Sequence, residues 1–196
     1  MESLRVLIAD DEEAIRAALV QLSQALSHQV VAQARDGHEA VMLARTTDPD
    51  VILLDIRMPH MDGIEAARAI TAERMVPIII VTAHADHSLM EEAAEAGVFS
   101  YLLKPITLQR LAAAISTARA RFSDLELLRA EVGDLKTALE ARKLIERAKG
   151  ILMDTHGLKE QEAHKRLQQE SMNRRKSMRE IAEAIILASD LASGKS

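Results

Sequence analysis

Five short apolar runs in the first 120 residues limit the fold more than any other feature of the chain. They are Leu4–Ala9, Val30–Ala32, Val51–Leu54, Ile78–Val81 and Val98–Leu103. Between them the apolar residues take helical spacing, as in Ile15, Leu19, Leu22, Leu26 and in Ala40, Leu43, Ala44. Near-continuous apolar strands separated by helices are the pattern of a parallel sheet covered on both faces. The predicted fold class is therefore α/β, with a doubly wound, five-stranded parallel sheet. In such a sheet ligands bind beyond the carboxyl ends of the strands, at the topological switch point.

From Thr107 onward no strand signal returns. Ala118, Arg121, Leu125, Leu128, Val132, Leu135 and Leu139 follow alternating steps of three and four, a heptad seam that is apolar from Leu125. Two readings stand: a dimeric coiled coil, or an amphipathic helix docked on its own domain. Gly157 is placed to cap the first long helix in the left-handed conformation. Ser177-Met178-Arg179-Glu180 is a capping box opening a helix whose Met178, Ile181, Ala182, Ile185 and Ile186 share one face. The C-terminal third thus reads as a small all-α domain of three helices, needing support from a neighbour or a dimer partner.

Composition narrows the function. Of 196 residues, 48% are hydrophobic, enough to build a core rather than a disordered chain. No cysteine is present, which excludes disulfides, thiolate metal sites and cysteine nucleophiles. Residues 1–134 hold 21 acids and 12 bases, a charge of −9, whereas residues 135–196 hold 9 acids and 13 bases, a charge of +4. An acidic front and a basic back point to two domains with different partners, the basic one inviting a polyanion. The longest stretch without a formal charge, Ala17 to Ala34, carries too many glutamines and serines for lipid, and Met1–Arg5 lacks the features of a signal peptide. A soluble, cytoplasmic protein with no membrane partner is expected.

Four features fall where the switch-point rule directs attention. Asp10 and Asp11 close the first strand, Asp55 follows the third, Thr82 ends the fourth, and Lys104-Pro105 ends the fifth. Each alone is ordinary cap or turn chemistry. The fold would gather them together, and three carboxylates share a small site only if positive charge joins them. Lys104 supplies one charge, and a hard cation such as Mg²⁺, which prefers oxygen ligands, supplies the rest. A carboxylate in that setting can attack a phosphoryl group, with Thr82 donating to a phosphoryl oxygen, and the product would be an aspartyl phosphate at Asp55.

Asp10-Asp11, Leu53-Leu54-Asp55, Met58-Pro59-His60-Met61-Asp62-Gly63, Thr82-Ala83 and Lys104-Pro105 together resemble the receiver domain of bacterial two-component response regulators, a flavodoxin-like fold, over residues 4–120. The resemblance implies that Asp55 is the phosphoacceptor of a sensor histidine kinase. It further implies that Asp11, Asp55 and the Arg57 backbone carbonyl bind Mg²⁺, with Asp10 acting mainly through water. Thr82, Ala83, Lys104 and Pro105 would form the phosphate-binding and switch segment, and Tyr101 would swing inward when Thr82 moves.

Arg142 to Met153, with the later Glu162-Ala163, Leu167 and Ile181-Ala182, is similar to the ANTAR domain, an RNA-binding antitermination module. His164 stands where that family usually has an aromatic, and residues 135–196 contain no Phe, Tyr or Trp, so RNA would be held by cations and polar contacts. The candidate RNA contacts are Arg142, Lys143, Arg147, Lys149, Gly150, Arg174, Arg175 and Lys176, and the family's targets are short RNA hairpins that prevent transcription termination. Lys143, Arg147 and Lys149 are expected to be free of the core. The expected organisation is a receiver at 1–121, a coiled-coil linker at 122–136 forming a homodimer through Leu125, Leu128, Val132, Leu135 and Leu139, the RNA-binding domain at 137–192, and a tail at 193–196.

Two motifs are set aside. Gly194-Lys195-Ser196 mimics the end of a phosphate-binding loop, yet Ser189 stands where glycine is required. His84 and His87 lack a third ligand. The rivals to an RNA-binding regulator are a response regulator acting on DNA and a protein-interaction adaptor. An enzyme is not expected, since the reactive constellation modifies the protein itself.

Overall fold

Every residue from Val51 to Asp55 is buried, which a strand achieves only when both faces are covered. The computed structural model describes residues 3–83 and 87–192. In chain order the elements are β1 (Arg5–Ala9), α1 (Glu13–Ala25), β2 (Gln29–Ala34), α2 (Gly37–Thr47), β3 (Val51–Asp55), α3 (Gly63–Glu73), β4 (Ile78–Thr82), α4 (His87–Glu95), β5 (Ser100–Leu103), α5 (Leu108–His156), α6 (Glu160–Arg174) and α7 (Met178–Ala192). They fall into two units divided after Glu126.

In the first unit all neighbouring strands pair in parallel, in the order β2-β1-β3-β4-β5. The two-residue period of a strand sorts the sheet's side chains into two cores. Leu7, Ile52, Leu54, Ile78 and Ile80 face one way, toward Val41, Ile64 and Ile70. Val6, Ile8, Leu53, Ile79 and Val81 face the other, toward Leu19, Leu111 and Ile115. This is the doubly wound sheet expected. β5 begins at Ser100 rather than Val98, because Gly97 turns the chain at φ 85° and the Val98 N–H still bonds back to the Ala93 carbonyl at the end of α4. The chain reverses its direction of travel across the sheet between β1 and β3, so the switch point lies above those two strand ends.

In the second unit, Ala148 and Leu152 of α5, Ala163 and Leu167 of α6, and Ile181, Ala182 and Ile186 of α7 make one core. The expected stops and starts are present. Gly157 takes φ 66°, with its N–H on the Met153 carbonyl, and the Glu180 carboxylate receives the Ser177 N–H while Ser177 Oγ receives the Glu180 N–H. Along the seam, Leu125 is half-buried, but Leu128, Val132, Leu135 and Leu139 are all at least 50% exposed. No helix among the described residues is long and apolar enough to cross a membrane.

Candidate functional site

β1 and β3 are neighbours, so the residues that end them, Asp10 and Asp55, are brought side by side where the sheet's paired backbone gives out. Lys104, one residue past β5, reaches across with its N–H on the Thr82 carbonyl at 2.8 Å, and its peptide bond to Pro105 is cis. Its ammonium stands 2.9 Å from Asp10 Oδ2 and 3.0 Å from Asp55 Oδ1, with Glu12 farther off at 3.7 Å. Asp55 Oδ2 receives the Arg57 N–H at 2.8 Å, and Asp10 Oδ1 receives the Glu12 N–H at 2.9 Å. Asp10 Oδ2, fully buried, meets only the lysine's charge, with no well-directed hydrogen bond.

Burial raises the Asp55 carboxyl above its ordinary range; the hydrogen bond and charge of Lys104 oppose this, and the charge of Asp10 adds to it. Burial alone would lower Lys104, but its close contacts with the Asp10 and Asp55 carboxylates, and their charges, raise it above its ordinary value. Two buried carboxylates around one ammonium behave as a coupled unit one positive charge short.

Of the expected trio of carboxylates, Asp10 and Asp55 share the Lys104 ammonium, while the Asp11 side chain is exposed. Among the described residues no three acidic or histidine side chains gather at metal-binding spacing. Two carboxylates, one lysine and a turn of backbone form the cluster. Its donors are all oxygen, the kind a hard cation takes, and the under-satisfied Asp10 Oδ2 is aimed into it, so the residues fit Mg²⁺.

Two further residues, Arg16 and Gly63, support the cluster. Arg16 is buried, and its Nη1 donates to the carbonyls of Asp10 at 2.7 Å and Asp11 at 3.0 Å, which holds the acidic turn in place. Gly63 opens α3 with its N–H on the Ile56 carbonyl, and a Cβ there would collide with the Asp55 carbonyl. Glycine is required because helix and strand end approach this closely. Asp62 caps the same helix by receiving the N–H groups of Ile64 and Glu65.

Thr82 is buried at the end of β4 and Ala83 beyond it is exposed. Tyr101 is 55% exposed, beside a cavity lined by Ile56, Ile80, Thr82, Met90, Ala93 and Phe99. An outward ring next to a cavity that runs to Thr82 suits the expected inward swing. His84, the His87 side chain and the tail at 193–196 lie outside the described residues.

The basic helical residues require a correction. Lys149 is not free: it is 6% exposed, and its ammonium is held by Glu160 at 2.7 Å and Glu146 at 2.9 Å. Arg147 is exposed but spans both carboxylate oxygens of Asp190, and Lys143 pairs with Glu140. Arg174 pairs with Glu170, Arg175 is the left-handed cap of α6 at φ 53°, and Arg142, Arg175 and Lys176 are exposed. A Cβ at Gly150 would meet open space.

The chain matches the response regulator receiver domain over residues 6–116 and the ANTAR domain over residues 133–186. The transcriptional regulatory protein PdtaR of Mycobacterium tuberculosis is 42% identical to it over 182 residues, which is 93% of this chain and 89% of that protein. The transcriptional regulatory protein LnrK of Bacillus subtilis is 36% identical over 60% of this chain and 54% of its own. Among solved structures, the receiver domain of the putative response regulator NarL of M. tuberculosis superposes with a TM-score of 0.57 at 34% identity, covering 61% of this chain and 98% of that one. The chain therefore belongs to the response regulators that join a receiver domain to an ANTAR domain.

Proposed function

We propose that this response regulator accepts a phosphoryl group on Asp55 from a sensor histidine kinase and, in response, binds RNA hairpins that prevent transcription termination. The observation that carries the reading is the buried Asp55 carboxylate bridged by Lys104 at 3.0 Å. An Asp55 oxygen attacks phosphorus as the P–N bond of the kinase's phosphohistidine breaks; the bonding pair leaves on the imidazole nitrogen, which is then protonated. Asp10, Asp11, Asp55 and the Arg57 carbonyl would hold Mg²⁺, which when bound neutralises charge on the phosphoryl oxygens. Lys104 transfers its hydrogen bond from Asp55 to a phosphoryl oxygen, and the Thr82 hydroxyl donates to another. Tyr101 then fills the cavity beside Thr82.

The proposed organisation keeps a receiver at 1–121, a linker at 122–136 and the RNA-binding domain at 137–192, in a cytoplasmic homodimer. The exposure of Leu128, Val132, Leu135 and Leu139 supports a seam between two copies.

Acetyl phosphate with Mg²⁺ should add one acid-labile phosphoryl group, and Asp55→Asn should abolish it; undiminished labelling of the variant would remove Asp55 from its role. The phosphorylated protein should bind RNA hairpins more tightly than duplex DNA, and the reverse order would favour the DNA-acting rival. Val132→Lys with Leu135→Lys should yield a folded monomer in light scattering, because two desolvated charges in so short a seam outweigh its apolar contacts. An unchanged mass would remove the seam from dimerisation.

A further inference from the structure

On the α5 stretch expected to meet RNA, each paired cation brings acid with it. Lys143 is beside Glu140, Arg147 is on Asp190, and Lys149 is between Glu146 and Glu160. With the exposed Arg142 counted, four cations share that surface with four carboxylates, and a phosphate chain approaching there meets no surplus of positive charge.

α6 is different. Its buried side carries Ala163 and Leu167. At 100° per residue, His164, Gln168, Gln161, Met172 and Lys165 fall within a sector of about 100° that starts beside the buried side and turns away from it. All five are exposed, Met172 at 72%. No acid lies within that sector, though Glu160 borders it beside His164 and Glu162 lies about 60° beyond Lys165. At its far end the chain adds Arg175 and Lys176, exposed and without an ion pair among the described residues; the charge of Lys176 also helps lower the Glu180 carboxyl, after the hydrogen bonds from Ser177. The sector combines amide donors and acceptors, an imidazole, a flexible thioether and uncompensated cations. Amides can read base edges, a thioether can pack on a base face, and lysine and arginine can neutralise phosphates.

We infer that the exposed face of α6, from Gln161 through Lys165 and Gln168 to Met172 and Arg175, is the RNA-contacting surface, and that the paired cations of α5, Lys143, Arg147 and Lys149, brace the domain. This rests on the RNA-binding reading above. RNA loops suit such a face because their unstacked bases present both edges and faces.

The probe is an RNA stem-loop enriched from a randomised-loop pool by the phosphorylated full-length protein. Two variant sets are compared with wild type: Lys165→Ala with Gln168→Ala and Met172→Ala on α6, and Lys143→Ala with Arg147→Ala and Gly150→Ala on α5. The substituted α6 side chains are exposed, so far-UV circular dichroism should be unchanged; Lys165→Glu alone is a second, charge-only test on the same helix. The α6 set should weaken binding by at least about tenfold, and loss of the Lys165 contact should flatten the log affinity–log salt slope by roughly 0.7. The α5 set should stay within about twofold. Loss confined to the α5 set, with α6 variants binding as wild type, overturns the assignment while leaving RNA binding intact. Failure to enrich any stem-loop overturns the RNA reading itself, and the assignment with it.

Discussion

Lys104 and Lys149 are both well-shielded lysines, each held by two carboxylates, yet they sit in opposite electrostatic settings. Lys104 is 15% exposed at its side chain, and its partners Asp10 and Asp55 are 0% and 7% exposed. Lys149 is 8% exposed, but Glu146 and Glu160 are 55% and 69% exposed. In the receiver the acids are the desolvated party, and one ammonium only partly compensates them. In the helical unit the acids remain in water and lay their charge over a lysine whose stem is packed. The first arrangement has an unmet demand for positive charge, which a cation or an incoming phosphoryl group with its metal can meet. The second has none, and it joins α5 to the start of α6. Similar distances therefore do not mean similar roles; the solvation of the partners separates a reactive cluster from a brace.

The largest effect that could break this contrast is expected from Lys104→Met. Removing the ammonium leaves Asp10 and Asp55 facing each other in low dielectric, a loss of about 3 kcal/mol in chemical denaturation. The loss should shrink when Asp10→Asn and Asp55→Asn are added, since the repelling charges go with them. A cost below about 1 kcal/mol in the single variant would mean that water reaches the cluster and that its acids are not the desolvated party.

Asp55→Asn should move stability in the other direction. Folding raises the Asp55 carboxyl, so ionised Asp55 penalises the folded state, and the penalty is complete above its folded-state value. The penalty fades as pH falls through that value and is gone below the ordinary 3.8, where both states are protonated. The variant should therefore melt higher than wild type at neutral pH, with a gain that disappears on acidification. A gain that grows toward acid would contradict the raised value and with it the burial argument.

The same contrast explains what could be read in the sequence. The central strands were legible because Val51–Leu54 and Ile78–Val81 are apolar at every position, as a strand covered on both faces requires. The edge strand β2 runs to Gln29–Ala34, longer than its apolar run, because half-exposed edge positions accept glutamine. Asp10, Asp55 and Lys104 were legible because strand ends gather wherever the sheet is parallel. Arg16 was not, because its acceptors are backbone carbonyls that leave no trace in residue type. For Lys149, the partner Glu146 stands three residues earlier at helical spacing, whereas Glu160 lies eleven residues away across the α5–α6 turn, beyond any such rule. Periodicity shows which residues are buried and which pairs share a helix face, as Lys143 and Glu140 do, but a pair between helices, such as Arg147 and Asp190, depends on the tertiary neighbour that reaches it.

The smallest effect, and the sharpest test of the brace, is expected from Lys149→Met. Methionine keeps an unbranched apolar stem of similar length, so the burial of the stem survives and only the charge-assisted hydrogen bonds to Glu146 and Glu160 are lost. Their carboxylates are exposed and return to water when released, so the loss in stability should be clearly smaller than that of Lys104→Met. Its pH dependence identifies the source. The hydrogen bond from Lys149, and then its charge, lower the Glu160 carboxyl below its ordinary 4.5. A lowered carboxylate contributes stability that is complete above its unfolded-state value and is lost as pH falls through its folded-state value. Lys149 is raised, chiefly by the hydrogen bond to Glu160 and then by that to Glu146, so its share persists up to the ordinary 10.5 and is lost above it. The melting difference between wild type and Lys149→Met should accordingly be flat across neutral pH and close on acidification below the ordinary glutamate range. RNA affinity should change little, because the ammonium faces glutamates rather than open surface. A variant that melts as wild type but binds the enriched stem-loop tenfold more weakly would reverse the assignment, making Lys149 a phosphate contact that the glutamates merely hold in readiness.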